Sequence, residues 1–251
     1  MELYPILKQE YLDGKSLTKI GKEYKVDRGI LSKNLKSDGV IVDNKQNLVR
    51  VKDEFIFSSI DSEEKAYWLG FLYADGYVSY SKNRIELALQ KRDLEHIKKF
   101  KQFMGCSNNI FFNKKTNSYK ISFKSQQVKQ DLINLGCVPR KSLILKFPSQ
   151  EQVPKDLCKH FVRGYIDGDG YIGRKQNGIS YRLSILGTKE FLEVLVETMQ
   201  YKKLSIRKID NIYCIEWSAR YVEEYLVNLY FGAHIFLERK KEILMPSLIK
   251  R

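Results

Sequence analysis

Two aspartates stand out as groups that could do chemistry, because each closes the same ten-residue pattern. The stretch Trp68-Leu69-Gly70-Phe71-Leu72-Tyr73-Ala74-Asp75-Gly76-Tyr77 returns in altered form as Val162-Arg163-Gly164-Tyr165-Ile166-Asp167-Gly168-Asp169-Gly170-Tyr171. Both copies are apolar, place small residues four apart (Gly70 and Ala74; Gly164 and Gly168) and end in Asp-Gly-Tyr. Asp75 and Asp169 are 94 residues apart (169 − 75), the length of a small domain. A repeat of that period predicts two related modules. Small residues at i and i+4 share one helix face, and a helix-interior Gly is ~1 kcal/mol worse than Ala. The pattern therefore predicts two helices whose backbones cross closely, with Gly76 and Gly170 as C-terminal stops. Asp75 and Asp169 then meet at the helix ends. Like charges so placed are unfavourable unless a cation lies between them, which predicts a divalent-metal site.

The two stretches resemble the LAGLIDADG motif of homing endonucleases in its two-motif, single-chain form. Trp68 to Gly76 and Val162 to Gly170 fill the nine motif positions, with Asp75 and Asp169 at the metal-binding acid. Tyr73 stands where the motif has its first Asp, and Asp167 retains that residue. The resemblance covers residues 55–251 and implies an α+β fold, in which two pseudo-symmetric αββαββα modules form a saddle straddling DNA. It implies a site-specific double-strand DNA endonuclease that hydrolyses two phosphodiester bonds, leaves short 3′ overhangs and serves intron homing. By the same resemblance the cofactor is Mg²⁺, with Mn²⁺ as substitute. The backbone carbonyls of Ala74 and Gly168 join Asp75 and Asp169 as ligands, and Lys91 is the basic residue beside the scissile phosphates. Arg174 and Lys175, just past Asp169, are the candidates for that place in the second module. The implied partner is double-stranded DNA with a long, near-unique target, bound by a monomer; intron RNA is a further possible partner.

The intervening sequence agrees with that architecture. Ile85, Leu87 and Leu89 alternate with Arg84, Glu86 and Gln90; Tyr119, Ile121 and Phe123 alternate with Lys120, Ser122 and Lys124. Such period-two patterns predict half-buried strands. Between them, Leu94, Ile97, Phe100 and Met104 form the stripe of a helix with Asp93 as its expected cap. In the second module Tyr181, Leu183 and Ile185 alternate with Arg182 and Ser184, a helix is expected from Thr188, and Tyr213, Ile215 and Trp217 mark a later strand. Ser125 and Ser218 open the next helix in each module. The polar strand faces, with Arg84, Glu86, Gln90, Lys120, Ser122, Lys124, Arg182, Ser184 and Arg207, suit a ribbon that reads base edges in the major groove. Basic segments near each module's end, Arg140 and Lys141 in the first and Arg239 and Lys240 in the second, are expected to contact the DNA backbone.

Composition is consistent with a nucleic-acid partner. The 251 residues carry 44 Lys and Arg against 30 Asp and Glu, a formal charge of +14. A surplus of that size attracts polyanions and makes binding fall with salt. Residues 1–60 hold 11 basic and 9 acidic residues, so the repeated body carries nearly all of the excess. Charge alone does not separate DNA from RNA binding. Cys106, Cys137, Cys158 and Cys214 form no C-x-x-C pair and the three histidines are scattered, which argues against structural zinc or a redox couple. No apolar run approaches the ~20 residues of a membrane span, and no signal peptide is expected. The expected location is the cytoplasm or nucleoid, including that of a bacterial-type or phage-infected cell. Without a Ser/His/Asp or Cys/His grouping, metal-activated water fits hydrolysis better than a covalent nucleophile.

The first forty residues form a separate object. Ile6, Leu7 and Leu12 mark one helix. Ser16 caps a second, carrying Leu17, Ile20 and Tyr24 with Gly21 at a small-residue position. Asp27 caps a third, with Ile30, Leu31 and Leu35 on its buried face. This resembles the helix-turn-helix of resolvase-like DNA-binding modules, with Lys25 where such turns often carry Gly. That resemblance implies DNA contacts by Arg28, Ser32, Lys33 and Lys36. The expected boundaries are a helix-turn-helix domain at 1–42, a linker at 43–54, and modules at 55–150 and 151–251. Three other readings share these features. A DNA-binding regulator on the same fold is disfavoured by retention of Asp75 and Asp169. An RNA maturase would use the same basic saddle. An intein is not expected, since the Cys or Ser start and His-Asn end of protein splicing are absent.

Overall fold

The motif copies lie in two helices, α4 (Glu63–Asp75) and α7 (Cys158–Asp169). In the computed structural model, which describes residues 3–13, 15–40, 42, 51–174, 181–199, 204–217 and 221–249, they pack on each other more extensively than any other two helices. Ser62 starts α4 by accepting from the Lys65 amide, with Glu63 and Glu64 at the positive end of the helix dipole. The small residues do what their spacing predicts. A Cβ on Gly70 would lie 2.0 Å from the Phe161 carbonyl oxygen, one on Gly164 would lie 2.0 Å from that of Tyr67, and one on Gly168 would meet the Ala74 methyl at 2.3 Å. Gly76 and Gly170 end the helices, but for a different reason than a left-handed cap. Their φ angles are −72° and −78°, in extended backbone. A Cβ would instead strike the Leu72 and Ile166 carbonyl oxygens at 2.5 and 2.6 Å.

From α4 the chain passes through β1 (Gly76–Val78), β2 (Arg84–Gln90), α5 (Leu94–Phe103), β3 (Phe111–Asn113), β4 (Ser118–Lys124) and α6 (Gln126–Asn134). From α7 it repeats the order with β5 (Tyr171–Arg174), β6 (Tyr181–Gly187), α8 (Lys189–Thr198), β7 (Ile206–Ile209), β8 (Ile212–Trp217) and α9 (Tyr221–Tyr230), then adds α10 (Glu238–Leu248). Both halves therefore read αββαββα. Each has a four-stranded antiparallel sheet of matching strand order, β1-β2-β4-β3 and β5-β6-β8-β7. One face of each sheet is buried: Ile85, Leu87, Ile121 and Phe123 in the first, Leu183, Ile185, Ile215 and Trp217 in the second. These join Trp68, Phe71, Phe161 and Ile166 of the motif helices in one apolar core.

Several local expectations change. Asp93 does not cap α5: it ends a tight 3-10 turn over Lys91–Asp93, and its carboxylate is held by Arg239 instead. Ser125 and Thr188 do cap α6 and α8, accepting from the Val128 and Phe191 amides; Ser218 lies outside the described residues.

By contacts the chain divides into Met1–Leu48 and Val49–Arg251. Val51 is buried in the core of the larger unit and the Lys52 amide donates to the Met104 carbonyl, so 51–54 belong to that unit rather than to a linker; positions 43–50 lie outside the described residues. The smaller unit holds α1 (Leu3–Leu12), α2 (Leu17–Glu23) and α3 (Arg28–Ser37). Ser16 and Asp27 cap α2 and α3 as expected, accepting from the Lys19 and Ile30 amides. Leu7, Tyr11, Leu17, Ile20, Leu31 and Leu35 make its core. Ile30, expected on the buried face of α3, is exposed, as are Ile6 and Leu12 of α1, because Leu31 and Leu35 already fill the inner face of α3 and Leu7 and Tyr11 that of α1. Lys25 adopts φ +52°, the left-handed backbone that a Gly would take there. A Cβ on Gly21 would come within 2.9 Å of the Val26 carbonyl, which fixes the tight turn between α2 and α3.

Candidate functional site

Asp75 and Asp169 sit in the last turns of α4 and α7, where the helices cross. Their nearness follows from the small-residue contact: the Asp75 Oδ2 lies 3.6 Å from where a Gly168 Cβ would be. Each carboxylate reaches solvent at the helix tip but is flanked by protein on its other sides. Burial, then the charge of Asp169, push Asp75 up to about 6, against the opposing pull of Lys240, Lys141 and Arg239. Burial raises Asp169 as well, opposed by Lys141 and Lys240. Both acids also occupy the negative ends of helix dipoles, the unfavourable end for an anion. Two crowded carboxylates at two negative helix ends form a place that calls for positive charge.

Lys141 and Lys240 supply part of it, from matching positions in the two halves. The Lys141 ammonium donates to the Gly76 carbonyl. That of Lys240 donates to the equivalent Gly170 carbonyl, to Asp167 O at 2.8 Å and to Ile166 O at 2.5 Å. Each lysine thus tethers the chain just past one motif acid. Burial brings Lys240 down to about 8. The described basic residues expected at the scissile phosphates lie elsewhere in the fold. Lys91 is exposed beyond the end of β2, with its ammonium 5.9 Å from the Phe112 ring centroid, and is not among the cations acting on the acids. Arg174 stacks on Tyr181 at 5.4 Å, and Lys175 lies outside the described residues. Position in a basic run marked Lys141 and Lys240 in the sequence; only the fold shows that they bond the carbonyls just past the acids.

The first-Asp position of the motif has a structural use. Asp167 is fully buried and accepts from the Tyr67 hydroxyl (2.8 Å), the Tyr230 hydroxyl (2.5 Å) and the Leu237 amide (2.7 Å). Leu237 leads into α10 and Lys240, so Asp167 anchors the segment that delivers the lysine. In the first half Tyr73 does a comparable job, donating to the carbonyl of Leu135 ahead of Lys141. His96, pulled down to about 3 by burial and by nearby cations, bonds the Tyr67 hydroxyl at 3.0 Å. Arg163, inside the second motif, is also buried. It donates to the Leu229 and Ile235 carbonyls at 2.9 and 3.0 Å and to Glu63 at 2.6 Å, binding the start of α4 to α7.

The solvent faces of the sheets carry the predicted polar residues, but not all of them are unengaged. Glu86 is buried and takes both Arg84 (2.8 Å) and Lys120 (3.1 Å), so it reads as a clamp on two cations rather than as a group facing a base. Glu216 does the same for Arg182 and Arg207 in the second sheet. Glu216 was not among the sequence candidates; alternation puts it on the polar face, but only the β6–β8 register sets it opposite Ser184 and beside Arg182. Gln90 and Lys124 are exposed, while Ser122 and Ser184 are half-buried. Arg140 stacks on Tyr80 at 5.2 Å, and Arg239 is held by Asp93. Arg28, Lys33 and Lys36 are exposed on α3, with Ser32 half-buried.

Among the described residues no three or more His, Cys, Asp or Glu side chains converge as a metal cluster, no helix is long and apolar enough to cross a membrane, and the four cysteines are free. No family model matches the chain. Over 136 residues, 51% of the chain, it is 32% identical to a probable translation initiation factor IF-2 of Methanocaldococcus jannaschii, of whose length the match spans 11%. Among solved structures it is similar to the I-LtrWI LAGLIDADG homing endonuclease bound to target DNA, at TM-score 0.51 and 14% identity, over 75% of this chain and 92% of the other. It is also similar to the LAGLIDADG meganuclease I-AabMI bound to uncleaved DNA, at TM-score 0.50 and 10% identity, over 73% and 90%. The chain therefore has the fold of the LAGLIDADG homing endonucleases.

Proposed function

We propose that the protein is a site-specific double-strand DNA endonuclease. The observation that carries the reading is the pair of acids, Asp75 and Asp169, brought together by glycine contact at two negative helix ends and flanked by matched lysines. The donor set fits a hard divalent cation. Mg²⁺ keeps several waters and needs only one or two carboxylates, and carbonyls in the last turn of a helix have no intrahelical donor, which leaves those of Ala74 and Gly168 as further oxygen ligands. When bound, such a cation would supply Lewis-acid stabilisation of the phosphate and a water of lowered pKa. Lys141 and Lys240 hold the two strands that leave the acids and offset phosphate charge there. Asp167 and Tyr73 fix the segments that bear these lysines. The sheet faces bind the backbone and read base edges, with Glu86 and Glu216 limiting how many of their cations reach phosphates. Retention of both acids favours cleavage over a purely regulatory role.

The unit Met1–Leu48 adds contacts of its own through α3, where Arg28, Lys33 and Lys36 face outward. The test is incubation of the full-length protein and Mg²⁺ with a randomised duplex library. One recurrent sequence cut on both strands is expected; recovery of no cut sequence with Mg²⁺ or Mn²⁺ would reject the endonuclease reading. A chain beginning at Val49 is expected to cut the same site with weaker binding and a shorter footprint. An unchanged footprint and affinity would remove the N-terminal helices from DNA recognition.

A further inference from the structure

Resting on the reading of both sheets as DNA-facing ribbons, we infer that the two half-sites are recognised by different chemistry. The half beneath β5–β8 is read by apolar contact with the 5-methyl groups of thymine. Cross-strand partners share a face, so the two solvent faces can be aligned row by row. Tyr77–Glu86–Ser122 in the first sheet corresponds to Tyr171–Ser184–Glu216 in the second. The next row is Ala88–Lys120–Phe111 against Leu186–Cys214–Arg207. The row beyond is Gln90–Ser118–Asn113 against Ile212 and Ile209.

In the first sheet these rows present two amides and hydroxyls, and an ammonium, Lys120, that Glu86 engages; Phe111 (61% exposed) and Tyr77 (49%) are the large apolar exceptions. In the second, the same positions leave Tyr171 56%, Leu186 40% and Ile209 39% exposed, and Cys214 is buried. Each sheet holds two cations on one carboxylate, Arg84 and Lys120 on Glu86, Arg182 and Arg207 on Glu216, so the difference lies in the outer rows, Gln90 and Asn113 against Ile212 and Ile209. Exposed aliphatic groups offer nothing to a phosphate. The apolar feature of a base-pair edge in the major groove is the thymine methyl, and a ribbon carrying Leu186 and Ile209 is complementary to it.

The experiment uses the full-length protein on a site recovered by selection, with thymine replaced by deoxyuracil in one half-site at a time. That change removes the methyl and keeps the hydrogen-bonding edge. Kd is expected to rise about fourfold per contacted thymine in one half-site and less than about twofold in the other. The sensitive half-site should lose its sensitivity in the L186A/I209A variant, whose thermal melt checks that these two exposed truncations leave the fold intact. Equal sensitivity of both halves, insensitivity of both, or sensitivity that survives in L186A/I209A would overturn the inference. Failure of the selection to recover any preferred duplex would instead reject the DNA-recognition reading beneath it, and the inference with it.

Discussion

Gly164→Ala separates two accounts of the motif helices by the sign of its effect. On helix propensity alone the change stabilises α7 by ~1 kcal/mol. The crossing with α4 predicts the reverse. The new methyl would lie 2.0 Å from the Tyr67 carbonyl oxygen and 2.9 Å from the Phe71 amide nitrogen, both backbone atoms that cannot rotate away. Ordinary contact begins near 3.4 Å, so the helices must part by about 1.4 Å (3.4 − 2.0) at that point. Overpacking of this kind costs typically 1–3 kcal/mol, and a backbone obstacle puts Gly164 at the upper end. Less the propensity gain, the expected net loss is ~2 kcal/mol. Gly232→Ala is the comparison: its φ is +66° with nothing within 4 Å, so it should cost only the ~1–2 kcal/mol of left-handed backbone. Urea unfolding followed by tryptophan fluorescence reads the effect cleanly, because Trp68 and Trp217 both belong to the unit Val49–Arg251. Equal or increased stability of Gly164→Ala would refute the close crossing and, with it, the reason the two acids meet.

Three further outcomes follow from the site. Asp75 titrates near 6, above its ordinary value of 3.8, so in metal-free buffer its contribution to stability is present below pH 4 and is lost as pH rises through 6; Asp75→Asn should flatten that part of a stability–pH curve, and an unchanged curve would show that the acid is not perturbed. Lys141→Ala and Lys240→Ala should each lower the cleavage rate about a hundredfold or more, while Lys91→Ala should leave it close to wild type; the opposite order would return the basic role to Lys91. Glu216→Gln releases Arg182 and Arg207 towards phosphates, so the salt dependence of DNA binding should steepen by about one to two contacts and discrimination between target and random duplex should fall; an unchanged salt slope would mean that Glu216 holds neither arginine away from DNA.

Much of this was legible because periodicity and repetition survive in one chain. The matched small residues predicted the α4–α7 contact, and the alternating strands predicted which sheet faces are buried. Contacts between distant segments were less legible. Asp93 sits where a helix cap belongs, and its commitment to Arg239, 146 residues away, leaves no local trace. Lys240 lies in a basic run that reads as a solvated helix, yet α10 turns it inward to three carbonyls. Ile30 and Leu31 are adjacent apolar residues, and which of them faces inward depends on the core of the small unit. Gly76 and Gly170 were identified correctly as stops, but the cause is steric contact with the preceding turn rather than left-handed backbone.

The most direct measurement pairs binding with cleavage for Asp75→Asn and Asp169→Asn on one selected duplex. Removing a carboxylate from a surface meant for a polyanion should leave Kd within about threefold of wild type or tighten it. Loss of a metal-holding acid should depress Mg²⁺-dependent double-strand cleavage by about a thousandfold or more in each variant. Cutting at the wild-type rate by either variant, with binding intact, would contradict the assignment of the paired aspartates as the catalytic metal site.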